Sequence, residues 1–239
     1  MYKYRLPGED RVKVKLGGEN MADILDLVSS RRSIRRFTDD PVPDEVIEKV
    51  IEAARWAPSG ENEQPWRLIV VRNPETKAKI AEIAKLGTGG RITAEFSLSD
   101  YWQKKYAGVK NPETKARLFR TLYTGQVSEF AGNAPVVIVV VGELKDMFDT
   151  PYDLSTCIMS MLLEAHSLGL GACWVHGPSV YPSLVKRMKE LLKVPTGMGQ
   201  YKLIATISLG WPAESPKARE KKEFEDIVYW EEFGRKERP

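Results

Sequence analysis

The chain has 239 residues, 42% of them hydrophobic and 29% charged, which suits one globular domain over residues 1–239. Its 36 basic residues are nearly balanced by 33 acidic ones, so the net charge of +3 gives no reason to expect a nucleic-acid partner. The sequence shows neither an apolar stretch of the roughly 18 residues that a membrane span needs nor the apolar centre of a signal peptide. We therefore expect a cytoplasmic protein that does not bind membranes.

The first half of the chain is expected to begin with an irregular arm at residues 1–20 and then to become mostly helical. Apolar residues recur at helical spacing between Val46 and Ala54, whereas WRLIVVR is rich in β-branched residues. The predicted elements are helices at 21–30, 44–56 and 74–85, a strand at 66–72, a glycine loop at 87–90 and a mainly helical stretch at 101–130.

The second half alternates between strands and helices. The run PVVIVVVG at 135–142 is continuous in β-branched residues, which predicts a strand buried on both faces. A long, almost wholly apolar helix follows and ends at the glycines of GLG. This helix is predicted at 153–168. The remaining predicted elements are strands at 172–176 and 201–209, a helix at 182–192 and a charged C-terminal extension at 210–239. The alternation indicates an α/β or α+β protein.

Two glycine-rich segments fail the test for a dinucleotide-binding fold. That fingerprint needs a strand, then glycines, then a helix. Gly169 and Gly171 follow a predicted helix and precede a strand, and the glycines at 87–90 also follow a helix. The sequence therefore predicts no Rossmann nicotinamide domain.

The basic segment, RRSIRR at residues 31–36, places four arginines directly after a predicted helix. Arginine is favoured at a helix C-terminus because it faces the negative end of the helix dipole, so the cluster can be purely structural. Alternatively it binds an anion, since guanidinium groups offer forked donors that suit phosphate and Ser33 adds a hydroxyl. Spacing alone leaves both interpretations open.

Three further segments are candidates for function. The loop APSGENEQPW at 57–66 has the residue types of ordinary turns, and the charge run PKAREKK at 216–222 is typical of a solvated surface. The segment GLGACWVHG at 169–177 contains His176. This histidine has no His, Cys or acidic partner at ligand spacing, so we predict no metal site.

Cys157, Cys173 and His166 lie within predicted apolar elements. The cysteines are not spaced as in a metal knuckle, and a chain of this size does not need a disulfide for stability. We expect all three to be structural side chains rather than reactive ones.

The order and spacing of these segments resemble those of the nitroreductase family of flavoproteins. RRSIRRF is followed by APSGxNxQPW, then by an apolar helix ending in GLGACW, and finally by LGWPAExP with a basic cluster. The resemblance covers roughly residues 22–75 and 133–230. It implies an α+β, three-layer fold with a central, mostly antiparallel sheet flanked by helices. It also implies an intertwined homodimer with FMN at the subunit interface.

The resemblance also implies which residues hold the flavin. The basic segment would contact the phosphate, the ribityl chain and the pyrimidine edge, and the loop at 57–66 would come from the other subunit. A C-terminal basic pair would complete the phosphate site, with Lys221 or Lys222 as its second member. By motif position the implied cofactor-binding residues are Arg31, Arg32, Ser33, Arg35, Pro58, Ser59, Gly60, Asn62, Gln64, Trp174, Val175, His176, Gly177, Arg219 and Lys221, with Arg36 outside the site.

The implied activity is a ping-pong reaction in which NADH or NADPH reduces FMN at N5, and a small organic acceptor such as a nitroaromatic or a quinone reoxidises it. His176 is the candidate proton donor, because imidazole titrates near neutral pH. Residues 87–132 would cover the substrate. Two alternatives stay open: an ene-reductase, dehalogenase or dehydrogenase that uses another electron donor, and a non-catalytic FMN-binding protein.

Overall fold

The computed structural model describes residues 24–144, 150–196 and 201–239. The predicted arm at 1–20 and the first residues of the helix predicted at 21–30 lie outside the described residues. In the described ranges the helices are α1 (Ile24–Ser30), α2 (Asp44–Arg55), α3 (Pro74–Leu98), α4 (Tyr101–Lys105), α5 (Pro112–Tyr123), α6 (Phe130–Asn133), α7 (Thr150–Ser167), α8 (Pro182–Leu191) and α9 (Phe224–Ile227). The strands are β1 (Trp66–Val71), β2 (Val136–Glu143), β3 (Gly171–Val175) and β4 (Tyr201–Gly210).

The strands of the described residues form one antiparallel sheet in the order β1-β2-β4-β3. Strand β2 lies inside the sheet, and its residues 136–141 are at most 2% exposed. The prediction of a strand buried on both faces is therefore confirmed. A bulge between Val140 and Val141 shifts the register of β2 against β4.

Helices cover both faces of the sheet. On one face, Val136, Ile138 and Val140 pack against α2 and α7, while on the other Val137 and Val139 pack against α3 and α8. Successive strand residues point to opposite faces, so a continuous apolar run supplies both cores at once. The structure confirms the predicted three-layer α+β fold with an antiparallel sheet.

Helix α7 ends as its sequence predicts. The Gly169 N–H donates to the carbonyl oxygen of His166 at 3.1 Å, and the Leu170 N–H donates to that of Ala165 at 2.8 Å. This pair of bonds is typical of a helix that a glycine terminates, and Gly169 has the left-handed φ of 78° that such a cap requires. The chain then enters β3 directly. None of the described helices is both long enough and apolar enough to cross a membrane.

The predicted glycine loop at 87–90 is wrong, because these residues lie inside α3, which continues to Leu98. The glycines allow close packing instead of a turn. A Cβ atom on Gly87 would lie 1.9 Å from the carbonyl oxygen of Gly177. Glycine is therefore needed where α3 crosses the short 3-10 turn that follows His176.

The predicted helical stretch at 101–130 is divided into several short helices. Asn111 begins α5 by accepting a hydrogen bond from the Thr114 N–H at 2.9 Å. Gly125, which has a left-handed φ of 69°, follows the end of α5 and separates it from the next helical turn. The same six residues, NPETKA, begin both α5 and α3, where Asn73 caps the helix in the same way. Side-chain caps therefore set both helix starts.

We expect Gly87→Ala to destabilise the protein, although alanine is the better helix former by about 1 kcal/mol. The added methyl group would overlap the Gly177 carbonyl oxygen, and the resulting displacement should cost about 1–3 kcal/mol. Urea unfolding measures the free energy of unfolding. Gly108→Ala is the matched control, because a Cβ there meets nothing within 4 Å. A Gly87→Ala variant more stable than the parent would contradict this packing.

Candidate functional site

The basic segment lies along the edge of β3. Ser33 forms a parallel bridge with Ala172, and the Ile34 N–H donates to the Ala172 carbonyl oxygen at 3.1 Å. Ile34 is buried, and a Cβ on Gly171 would lie 2.7 Å from the Cβ of Ile34. The second glycine of GLGACW thus permits the close approach of the basic segment, which brings the first and third motifs together.

Arg32 has the structural role that a helix end predicts. Its guanidinium donates to the carbonyl oxygens of Ser29 at 2.6 Å and Arg31 at 2.8 Å. The Ser29 carbonyl belongs to the last turn of α1 and the Arg31 carbonyl directly follows it, where no further helical donors are available. A positive charge at this position stabilises the negative end of the helix.

Arg31 differs from its neighbour because its Nε atom is buried and has no hydrogen-bond partner among the described residues. A buried charged donor without an acceptor is costly, so this atom calls for a partner from elsewhere. His166 lies nearby, with its Nε2 2.9 Å from the Ser30 hydroxyl. Burial, together with the positive charges of Arg31 and Arg32, lowers the pKa of His166. The surroundings of Arg31 therefore favour an anion.

Arg35 and Arg36 share a partner, Glu214. Its Oε1 accepts from the Arg35 N–H at 2.5 Å and the Arg36 N–H at 3.1 Å, and its Oε2 accepts from the Arg36 Nε at 3.1 Å. Burial raises the pKa of Glu214, but these donors outweigh it and hold the pKa below its usual value. The Arg35 guanidinium instead lies over the ring of Phe130, 5.7 Å from the centroid.

Sequence reasoning gave Glu214 no role, although LGWPAExP was part of the resemblance. The only signal was its place in that motif. Nothing in the sequence around a single glutamate indicates that it pairs with an arginine 178 residues away along the chain.

The loop at 57–66 is seated on the first turns of α7. The Gly60 N–H donates to Asp153 Oδ1 at 3.0 Å, and the Thr156 hydroxyl donates to the Pro58 carbonyl oxygen at 2.8 Å. Both contacts join the loop to helix α7 of the same chain. The loop therefore has a fixed position at the N-terminal end of α7.

The backbone of this loop is strained. Glu61, Asn62 and Gln64 have φ values of 50°, 58° and 47°, a region that residues other than glycine rarely adopt. The Ser59 hydroxyl holds the turn closed by accepting from the Gln64 N–H at 3.0 Å. Such conformations cost about 1–3 kcal/mol each and are found preferentially at ligand clamps and active sites.

The loop and the basic segment lie at opposite ends of α7. The loop contacts Thr156, whereas Ser30, which directly precedes the basic segment, contacts His166. Ten residues of helix separate these two contacts, a rise of about 15 Å. One chain therefore does not bring the second motif into contact with the first.

The third motif passes from β3 to the helical layer. Trp174 is 36% exposed and Val175 is buried, as expected for alternating strand residues. His176 is exposed, and its Nδ1 lies 3.0 Å from the Ser179 hydroxyl. Gly177 is buried against α3.

The predicted C-terminal basic residues remain in solvent. Arg219, Lys221 and Lys222 are exposed, and none of them makes a hydrogen bond or an ion pair with the residues that the structure describes. Glu214, a few residues before them in the chain, does contact the basic segment. The structure does not join Arg219 or Lys221 to Arg31.

An open cavity of about 470 Å³ lies in the region predicted to cover the substrate. Trp102 lies in its wall and donates from Nε1 to Glu95 at 2.8 Å, and Glu95 also pairs with Arg91. Lys105 lies 4.9 Å from the ring centroid of Trp102. Sequence reasoning named none of these residues, because charged and aromatic side chains at the end of α3 and on α4 have no distinctive spacing.

Across the described ranges, no group of three or more His, Cys, Asp or Glu side chains is arranged to hold a metal ion. The candidate site consists of the basic sheet edge, with its unpaired guanidinium atom, and the strand β3 that leads to the exposed His176. The strained loop lies apart from them at the other end of α7. A profile of the nitroreductase family matches residues 28–211, within this three-layer α+β fold. The chain therefore belongs to the nitroreductase family, and the predicted oxidoreductase class is confirmed.

Individual relatives are similar to different extents. A Methanothermobacter thermautotrophicus protein, provisionally named NADH dehydrogenase/NAD(P)H nitroreductase, is 32% identical over 88% of each chain. The solved structure of an FMN-dependent nitroreductase from Clostridium difficile has a TM-score of 0.64 and 25% identity, covering 87% of this chain and 99% of that one. Iodotyrosine deiodinase 1 of Rattus norvegicus is 51% identical over 118 residues, which are 49% of this chain and 36% of that protein.

We expect neither cysteine to react with a thiol reagent at pH 8 while the protein is folded. Burial raises the pKa of Cys157 to about 12, and burial also raises that of Cys173 against the opposing charge of Arg35. The thiolate is the reactive form, so both thiols should react with the reagent only after denaturant has exposed them. Colorimetric titration with and without denaturant measures this. One reactive thiol in the native protein would contradict the burial of Cys173 behind the basic segment.

Proposed function

We propose that this chain is an FMN-dependent oxidoreductase that takes its electrons from NADH or NADPH and reduces a small organic acceptor. FMN, when bound, would supply the hydride chemistry at N5 in both halves of a ping-pong cycle. The chain's own residues would bind the cofactor, orient the substrates and exclude water. The cofactor named for the Clostridium difficile structure supports this choice.

The unpaired Nε of Arg31 is the observation that carries the proposal. A phosphate oxygen would be the negatively charged hydrogen-bond acceptor that this buried donor lacks. Ser33 lies on the same stretch of β3 edge and would contact the ribityl chain. Arg32, which is held at the end of α1, would add positive charge without a direct bond.

Arg35 is proposed to lie near the pyrimidine edge of the flavin ring. Its guanidinium is exposed and is not committed to a carboxylate, since Glu214 pairs with the Arg36 side chain. A positive charge at that edge stabilises the negative charge that the reduced ring carries. Arg219 and Lys221 would join the phosphate only after the exposed C-terminal segment moves toward it.

The second half of each cofactor site is proposed to come from the partner subunit of a homodimer. The separation of the loop at 57–66 from the basic segment along α7 supports this arrangement, with Pro58, Ser59, Gly60, Asn62 and Gln64 reaching the flavin of the other chain. Helix α1 and helix α7 also expose apolar side chains that a partner would cover, namely Ile24, Leu25, Val28, Tyr152 and Met159.

The reacting face of the flavin is proposed to lie beside the third motif, which comprises Trp174, Val175, His176 and Gly177. His176 is the proposed proton donor for the acceptor. Its Nδ1 is occupied by Ser179, and its other ring nitrogen makes no hydrogen bond to the described residues. Helix α3 crosses this motif at Gly87, so its continuation and the short helices at 101–130 are proposed to cover the substrate.

A second candidate reaction is reductive dehalogenation of a halogenated aromatic, in which two electrons and a proton replace the halide by hydrogen. The 51% identity to rat iodotyrosine deiodinase 1 over half of this chain favours it. Both reactions need the same reduced flavin, and they differ in the acceptor. The residues of the cover, rather than those of the basic segment, would therefore decide between them.

We expect the purified protein to be yellow, and the double variant Arg31→Ala with Ser33→Ala to lose FMN. Loss of the phosphate contacts should weaken FMN binding by about 100-fold or more, since each charge-assisted hydrogen bond contributes about 1.5–3 kcal/mol. Flavin fluorescence quenching measures the dissociation constant, and thermal unfolding checks the fold. Arg117→Ala, at an exposed arginine of α5, is the matched control. An undiminished flavin content would mean that the basic segment is only a helix end.

Anaerobic stopped-flow spectroscopy tests the donor and the acceptor separately. We expect NADH or NADPH to bleach the flavin absorbance, and a nitroaromatic, a quinone or a halogenated phenol to restore it. Failure of both nicotinamides to reduce the flavin would reject the main proposal. Reoxidation by the halogenated phenol with release of halide, but not by the other acceptors, would select the second candidate. Binding of FMN without any turnover would mean a non-catalytic carrier.

Mixing two defective variants tests whether each site is shared between subunits. One partner carries Arg31→Ala with Ser33→Ala, and the other carries Ser59→Ala with Asn62→Ala. After unfolding and refolding together, random pairing should restore FMN to about a quarter of all sites, because each mixed dimer has one intact site. Each variant refolded alone is the control. No recovery in a mixture shown to contain mixed dimers would mean that the loop acts within its own chain.

A further inference from the structure

Glu214 contacts the basic segment at the point where that segment changes partner. The residues before Arg35 pair with β3, whereas the residues after it pair with the chain that leaves β4. In the second pairing the Ala213 N–H donates to the Arg36 carbonyl oxygen at 2.9 Å. At the junction itself, the strand pairing supplies no acceptor for two consecutive N–H groups.

The Glu214 carboxylate supplies that acceptor. A single oxygen receives the N–H groups of both Arg35 and Arg36, at 2.5 and 3.1 Å. The side chain is 16% exposed, so it is mostly withdrawn from solvent. Two adjacent amides that converge on one oxygen fix the backbone dihedrals between them, because both N–H directions are specified at once.

The second carboxylate oxygen separates the two arginine side chains. It pairs with the Arg36 side chain, which is 75% exposed, so that the Arg35 guanidinium has no carboxylate partner among the described residues and donates to the Ser33 carbonyl oxygen at 3.3 Å. Arg35 instead extends over Phe130 of α6. The direction of the Arg35 side chain therefore depends on a backbone that Glu214 holds, together with its own contacts with Ser33 and Phe130.

We propose that Glu214 is a positioning residue of the flavin site, which aims Arg35 at the cofactor ring by binding the two amides at Arg35 and Arg36. This inference rests on the proposed binding of FMN at the basic segment. The reach of the carboxylate to the amides, rather than its charge, is what the site requires. Glu214 itself does not touch the cofactor.

Two conservative variants separate reach from charge. Glu214→Gln keeps the length of the side chain and an oxygen for the amides but removes the charge. Glu214→Asp keeps the charge but shortens the side chain by one methylene, which withdraws the oxygen from the amides. Glu220→Gln, at an exposed glutamate of the same C-terminal segment, is the control.

The readouts are the FMN dissociation constant and the midpoint potential of the bound flavin. For Glu214→Asp we expect binding about tenfold weaker, as the loss of one or two net hydrogen bonds implies, and a midpoint potential shifted to more negative values. For Glu214→Gln we expect a dissociation constant within about threefold of the parent and a nearly unchanged potential. A merely structural role would change binding without changing the potential.

Amide hydrogen exchange supplies a further test, and its first part does not depend on variants folding. In the unmodified protein the Arg35 and Arg36 amides should exchange slowly. In the second part, Glu214→Asp should accelerate both. Fast exchange in the parent would overturn the inference, as would a Glu214→Asp variant with parental potential or a Glu214→Gln variant that is the more damaged of the two. Absence of FMN binding by the parent would instead reject the proposed function.

Discussion

Strand β2 presents no face to water, and the rest of the fold is arranged around that constraint. Each of its buried aliphatic side chains contributes about 1.5–3 kcal/mol when removed from water, but only if both faces of the strand are covered. Two helical layers are therefore required, and α7 provides much of one of them. Because α7 crosses the sheet to do so, its ends determine where the strained loop and the basic segment lie. The separation of the strained loop from the basic segment within one chain therefore follows from the way α7 covers β2.

Four positive charges within six residues repel one another, and the fold resolves this by giving each arginine different surroundings. Arg32 neutralises the end of α1, and Arg36 is paired with Glu214. Arg31 keeps a buried, unpaired Nε, and Arg35 keeps an exposed guanidinium over an aromatic ring. The structure therefore confirms the structural interpretation for Arg32 and Arg36, which hold the segment in place. Arg31 and Arg35 are the two for which we propose anion binding.

The parts of the fold that local patterns determine could be predicted, and the parts that depend on distant contacts could not. A β-branched run predicted β2, and a glycine after an apolar run predicted the end of α7, because the physical cause lies within the run itself. Glycine locally favours turns, which predicts a loop at 87–90. The backbone that requires Gly87, that of Gly177, lies about ninety residues further along the chain, and a Cβ on Gly89 would meet the Tyr123 carbonyl oxygen. The roles of the arginines depended in the same way on Ala172 and Glu214.

Helix α3 joins two cores that are otherwise separate. Its first half contributes Ile80 and Ile83 to the core beneath the sheet, while its second half contributes Ile92 to an aromatic cluster around Trp102. The close crossing at Gly87 lies between them. Substitutions in the aromatic cluster can therefore change the packing around Trp102 without changing the sheet edge on which the basic segment rests. If residues 87–132 cover the substrate, as proposed, this division would let the far end of α3 vary with the acceptor while its first half keeps its place against the sheet.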